Sequence, residues 1–144
     1  GGPTGPQGPT GATGSTGAAG STDSCHNNVT QNGHGFSVGN VLRIQNSATT
    51  YLKAQADNAV NAEVVGIVSA VVDANTFTLI TAGRITGLSG LTKGSVYYLS
   101  EATAGLLTAT EPTPNGVNVS KPLLIADSTT SGYFINQRGF IKYA

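Results

Sequence analysis

Cys25, His26 and His34 are the side chains of this sequence whose chemistry could hold a metal ion or activate a nucleophile. Thiolate and imidazole suit zinc and its neighbours, and a histidine is the usual base beside a reactive serine. Their spacing supports neither use. A Cys-His pair with a second histidine at His34 is no recognised ligand pattern within one chain, and Gly33-His34-Gly35 lacks the preceding strand and following helix of a phosphate loop. The carboxylates Asp23, Asp57, Asp73, Asp127, Glu63, Glu101 and Glu111 stand singly and mostly at turn-forming sequence, without the close pair a glycosidase uses. The sequence reading is therefore of a protein that is not an enzyme, with no catalytic residue and no cofactor.

What would position these groups begins upstream of them. Gly2, Gly5, Gly8, Gly11, Gly14, Gly17 and Gly20 fall at every third position, giving seven unbroken Gly-x-y triplets. Three extended chains wind around one axis only where the residue nearest that axis lacks a side chain, so this register predicts a collagen-like stalk over residues 1–22 and a homotrimer. At about 3 Å of rise per residue such a stalk is on the order of 60 Å long. The chain starts in mid-repeat and contains no Met, from which the stalk is expected to continue upstream. In a trimer every residue occurs three times around the axis, which makes His26, His34 and Cys25 candidates for an axial metal site. The plainer reading keeps both histidines as solvent-exposed neck residues. Three equivalent thiols can close at most one disulfide, so Cys25 reads as a reduced residue packed near the axis.

Residues 23–35 contain almost nothing apolar and several turn formers, which predicts a neck where the three chains part. The remaining residues, 36–144, form the head. It is rich in Thr, Val, Ala, Gly and Ser, and the chain lacks Trp. That composition and its length predict one all-β domain. Short apolar runs recur near every tenth residue, at 41–44, 50–56, 63–72, 76–81, 84–86, 96–100, 106–108, 121–126 and 132–136, so the head is expected to be a sandwich or small barrel. Asp73-Ala74-Asn75 and Lys93-Gly94 are expected to make tight turns, residues 109–118 an exposed loop, and residues 54–62 a loop. Seven Lys or Arg balance seven Asp or Glu without clustering, which leaves no footprint for nucleic acid. The longest apolar stretch, Val64 to Val72, is broken by Gly66 and Ser69, far short of the roughly 20 residues a membrane span needs.

Three segments carry a resemblance. They are Gly87-Leu88-Ser89-Gly90-Leu91-Thr92-Lys93-Gly94-Ser95-Val96-Tyr97-Tyr98-Leu99-Ser100, Ala104-Gly105-Leu106-Leu107-Thr108 and Ser120-Lys121-Pro122-Leu123-Leu124-Ile125-Ala126. Tyr51-Leu52-Lys53-Ala54-Gln55-Ala56 and Val64-Val65-Gly66-Ile67-Val68 fit more loosely. Together they make residues 36 to 140 resemble a domain of bacteriophage fibre proteins. The Thr-rich stalk is similar to the collagen-like repeats of phage fibres and of spore-surface filaments. The resemblance implies a structural virion protein, a homotrimeric tail or head fibre at the particle surface, joined to other virion proteins through its stalk. It also implies possible attachment to host-surface glycans. The alternatives are a collagen-like filament of a bacterial spore or cell surface and, more weakly, a glycan-binding module. Every feature quoted for it is a scaffold feature: one of Tyr97 and Tyr98 should pack inward, and Pro122 should open an edge or a strand.

Overall fold

The computed structural model describes residues 2–5, 8, 25–45 and 50–143. Most of the expected stalk, including Gly11, Gly14, Gly17 and Gly20, lies outside the described residues. Gly2, Gly5 and Gly8 lie within them, and a Cβ at any of the three would meet nothing within 4 Å in the single chain.

The described part of the head is all β. Twelve strands form two open five-stranded antiparallel sheets and one two-stranded ribbon. The first sheet runs in the order β1 (His26–Thr30), β5 (Thr76–Ile80), β4 (Val64–Asp73), β2 (Val41–Ile44), β3 (Tyr51–Lys53). The second runs β6 (Gly83–Ile85), β11 (Gly132–Phe134), β10 (Pro122–Ala126), β7 (Val96–Leu99), β8 (Leu107–Thr108), and the ribbon pairs β12 (Phe140–Ile141) with β9 (Val119–Ser120). Among the described residues there is no helix, hence none long and apolar enough to cross a membrane.

Side chains alternate between the faces of a strand, and the middle of the first sheet, the start of β2, the first half of β4 and β5, is buried on both. Val41, Ile67 and Ile80 join Ile85, Leu99, Leu124 and Phe134 of the second sheet in one core. Their neighbours Leu42, Val68 and Leu79 face the other way and build a second core with Phe77 and Phe36. Double burial explains why β2 and the first half of β4 read as continuous apolar runs instead of an alternation. It also explains Gly66, where an added Cβ would collide with the Ile80 carbonyl oxygen across the strand pair. Bulges between Val68 and Ala70 and between Val71 and Asp73 bend β4 against β5.

The apolar runs become strands and residues 54–62 become a chain of turns. Ala74 and Asn75 turn β4 into β5, with the Asp73 carboxylate accepting the Asn75 N–H at 2.8 Å. Gly94 takes φ 85° as a tight turn demands, but the strands on either side of it, β6 and β7, are not neighbours in their sheet. Tyr97 packs in the core while Tyr98 is half-buried, and Pro122 is the first residue of β10. Residues 109–118 are mostly exposed, with Pro112 and Asn118 buried.

The neck expected over residues 23–35 differs from the structure. His26–Thr30 is an edge strand of the head, paired with β5 through five consecutive partners from His26↔Ile80 to Thr30↔Thr76. An edge strand needs main-chain partners more than apolar side chains, and of its residues only Val29 is partly buried, against the second core. The Thr78 hydroxyl donates to the Asn28 side-chain oxygen at 2.9 Å across the pair. Ribbon strands β9 and β12, two residues each, also escaped the sequence reading.

Candidate functional site

The loop after β1 holds His34, and its ring is fully committed. Nδ1 accepts the Phe36 N–H at 2.9 Å, while Nε2 lies 2.8 Å from the Asp73 carbonyl oxygen, to which it donates. Only the neutral tautomer with its hydrogen on Nε2 satisfies both partners. The ring stacks on Phe36 and meets Phe77 edge-on, with centroids 5.5 and 5.1 Å apart. His34 is therefore a packed pin holding the loop to the β4–β5 turn, and ligating a metal would cost it one of these bonds. Cys25 is a free, partly exposed thiol whose main-chain oxygen accepts the Thr81 N–H, and His26 is exposed at the head of β1. Among the described residues no group of three or more His, Cys, Asp or Glu is gathered in one chain.

Five of the carboxylates turn out to hold loops, Asp57 by accepting from the Asn58 and Asn61 amides within residues 54–62. Asp127 pairs with Arg84 at 2.7 Å and accepts the Ser131 hydroxyl at 2.5 Å, which together, the serine first, hold its carboxyl below the usual range. Glu111 is lowered likewise by the Ser120 hydroxyl and then by Lys142. Glu101 ties the 109–118 loop down, accepting from the Thr113 main chain and hydroxyl and from the Asn118 amide. Asp73 shapes the β4–β5 turn.

The concave surface of the head lies elsewhere. A cavity of about 500 Å³ opens beside β3, with walls from β2, β3 and the two loops nearest them. Gln31 frames it by mimicking a strand: its amide nitrogen donates to the Tyr51 carbonyl at 3.1 Å and its oxygen accepts the Tyr51 N–H at 2.8 Å. Arg43 and Lys53 line the cavity, and no carboxylate does. Arg43 Nε is cut off from solvent and has no hydrogen-bond partner among the described residues. An unmet buried donor of this kind costs about 1–3 kcal/mol. Lys53 runs its stem past Gly105, where a Cβ would sit 3.0 Å from its Cγ and Cδ. Any larger residue there would push the ammonium aside. Gln55 and Asn61 complete the polar wall, their amide nitrogens spent on the Glu101 carbonyl and the Asp57 carboxylate at 2.8 and 2.9 Å.

Two smaller cavities contrast with it. One of about 260 Å³ between Val38, Leu88, Tyr97 and Leu106 has no charged residue in its wall. The other, about 150 Å³, contains Lys121 and Arg138 with Glu63 beside them. Burial pushes the Lys121 ammonium below its ordinary value.

The sequence reading singled out neither Arg43 nor Lys53. A signal existed at Arg43, a cation inside the apolar strand Val-Leu-Arg-Ile. Nothing local marks Lys53, because the cavity is made by segments far apart in the chain. No protein-family model matches the chain, and no curated protein or solved structure matches it.

Proposed function

We propose that this chain is a segment of a trimeric bacteriophage fibre, a collagen-like stalk carrying an all-β head that serves structural display and attachment at the virion surface. The observation that carries the reading is the glycine register, Gly2 through Gly20 at every third position. A side chain at Gly2, Gly5 or Gly8 would meet nothing in its own chain, so a demand for glycine there comes from other chains around a shared axis. The fibre-like segments of the head supply the virion assignment, and upstream virion proteins are the partners of the stalk. A structural and non-catalytic role agrees with carboxylates engaged in loop-holding contacts at Asp73, Glu101, Glu111 and Asp127.

Light scattering on the purified chain tests the assembly, with an expected mass of about three times the 14.5 kDa monomer. A monodisperse monomer overturns the reading. Mass spectrometry of purified phage particles tests location; its absence from every particle preparation of the host that carries its gene would leave a cell-surface filament instead.

A further inference from the structure

Of the three cavities described above, the one of about 260 Å³ has no charged residue in its wall, whereas each of the others contains two cations. Asn40, just before β2, lines it and is 7% exposed. Three of its four polar groups are spent within the chain. Its N–H donates to the Ser37 carbonyl at 3.0 Å, its carbonyl accepts the Val68 N–H at 2.9 Å, and its side-chain oxygen accepts the Ser37 N–H at 2.9 Å. That last bond fixes which way the amide points, so Nδ2 is left as a donor with no partner among the described residues. The unpartnered side-chain atoms sealed from solvent among the described residues are Arg43 Nε and Asn136 Oδ1. Asn40 Nδ2 therefore keeps accessible surface in a residue that is otherwise enclosed. Tyr97, part of the same wall and also 7% exposed, is half spent: its hydroxyl oxygen accepts the Thr92 N–H at 2.8 Å, and its own hydrogen has no acceptor among the described residues. The wall is built in advance. The Gly39 and Leu88 N–H groups donate to the Val68 and Thr130 carbonyls at 2.8 and 2.9 Å, and a Cβ at Gly39 would sit 3.1 Å from Leu88 Cδ2.

We infer that this cavity binds the acetamido group of an N-acetylated hexosamine, its carbonyl oxygen accepting from Asn40 Nδ2 and its methyl resting on Val38, Leu88 and Leu106. A wall without a cation would strip an anion of its water and return nothing for it, so the ligand is neutral. Unspent donors call for oxygen acceptors, and apolar side chains call for a methyl. An acetamido group brings one of each. A plain hexose would set a hydroxyl against the leucines and bury it without a bond. The Tyr97 hydrogen is left for an oxygen of the sugar ring or its hydroxyls. At about 260 Å³ the cavity falls just below the roughly 300–1,000 Å³ of sites for drug-sized ligands, which suits a single ring. Because its wall is already in place, little ordering cost is set against binding. The inference rests on the reading of the head as an attachment module and names the class of molecule it would attach to.

Nuclear magnetic resonance titration of the whole chain tests it, following the side-chain amide of Asn40 with N-acetylglucosamine, glucose and N-methylacetamide as probes. N-acetylglucosamine is expected to shift that resonance saturably, with glucose and N-methylacetamide each at least about tenfold weaker. Equal binding of glucose overturns the inference, and so does equal binding of N-methylacetamide, which would reduce the cavity to a plain amide site. The absence of any shift with N-acetylglucosamine, N-acetylgalactosamine and N-acetylmannosamine up to about 50 mM overturns it as well. Asn40→Asp keeps an oxygen for the Ser37 N–H and removes the donor, so it is expected to weaken N-acetylglucosamine by about tenfold; unchanged affinity sinks the proposal. Should that variant melt lower than the parent, nuclear Overhauser contacts in the parent chain decide. The acetyl methyl of the sugar is expected to contact the methyls of Val38, Leu88 and Leu106, and a bound sugar without those contacts refutes the placement. A trimer that binds none of the probes removes this site and leaves the fibre reading intact, whereas a monomer that binds N-acetylglucosamine does the reverse.

Discussion

Asp127 shows how an isolated surface acid earns its place in this head. Its carboxylate takes the Ser131 hydroxyl and the Arg84 guanidinium, and both favour the charged form, so the native chain gives up this proton more readily than the unfolded one. A group lowered in this way contributes its full stabilisation above the unfolded value of about 4 and loses it as pH falls through the native one. Asp127→Asn is therefore expected to melt lower than the parent near neutrality and to lose less of its melting temperature between about pH 5 and pH 3. Parallel acid slopes for the two proteins would remove Asp127 from this role; Glu111 acts in the same direction, so the parent slope is shared between the two. None of this was legible from the sequence. Asp127 and Arg84 are separated by 43 positions, and only the β6–β11 and β10–β11 pairings bring their segments together. His34 escaped for a similar reason: beside its sequence neighbour Phe36, its partners Asp73 and Phe77 reach it through the β4–β5 turn.

At the scale of elements, sequence spoke clearly wherever a strand is held by its side chains. Val41–Ile44, Thr76–Ile80 and Val96–Leu99 carry branched and aromatic residues because the sheets bury them. His26–Thr30 is held mostly by main-chain bonds, which leave no trace in residue type, and so read as a neck. The continuation of β1 is fastened in the same manner. Asn75 accepts the Gln31 N–H through its main chain at 2.8 Å and the Gly33 N–H through its side chain at 2.9 Å. Asn75→Ala should cost about 1 kcal/mol, the usual worth of one such bond. Hydrogen exchange should quicken at Gly33 while the amides around Phe77 keep their protection. Unaltered exchange at Gly33 would mean that the Asn75 side chain does not hold the loop, leaving it to the main-chain bonds of Gln31 and His34 and to the His34 ring.

For the whole molecule, the apolar runs Val64–Val72 and Tyr97–Leu99 are the first candidates for a surface that three heads could share. The fold spends most of these within its own chain: Val64, Ile67, Val68, Tyr97 and Leu99 are all buried. Val71 and Val72 stay exposed at the end of β4, and so does a row across three adjacent strands of the second sheet, Val96 opposite Ile125 and Ile125 opposite Tyr133, at 36%, 40% and 51%. On the fibre reading proposed above, a stalk with Pro only at positions 3, 6 and 9, facing an ordering cost of about 1–2 kcal/mol per residue, would need the heads to hold it in register. The expected outcome is that residues 1–24 alone show no cooperative triple-helix melt by circular dichroism, while residues 25–144 remain trimeric. Ile125→Asp should shift that second fragment toward monomer with its fold intact. A fragment 25–144 that is monomeric before any substitution would make the head a passenger on a stalk assembled elsewhere.

The pairing of β1 also sets how tension travels. Any pull arriving from upstream of Cys25 enters the head at its outermost strand, first at the Cys25–Thr81 bond and then along the rungs from His26↔Ile80 to Thr30↔Thr76. Neither apolar core contributes more than Val29 to that strand. β1 can thus detach as a tether, paying out about 40 Å of chain over residues 25–35, before the load reaches Phe36 and the second core. Because the cavity beside β3 is framed by Gln31 and His34 on that same stretch, a tug strong enough to free the tether would also open the wall of the cavity. A head anchored this way would soften at that edge under strain.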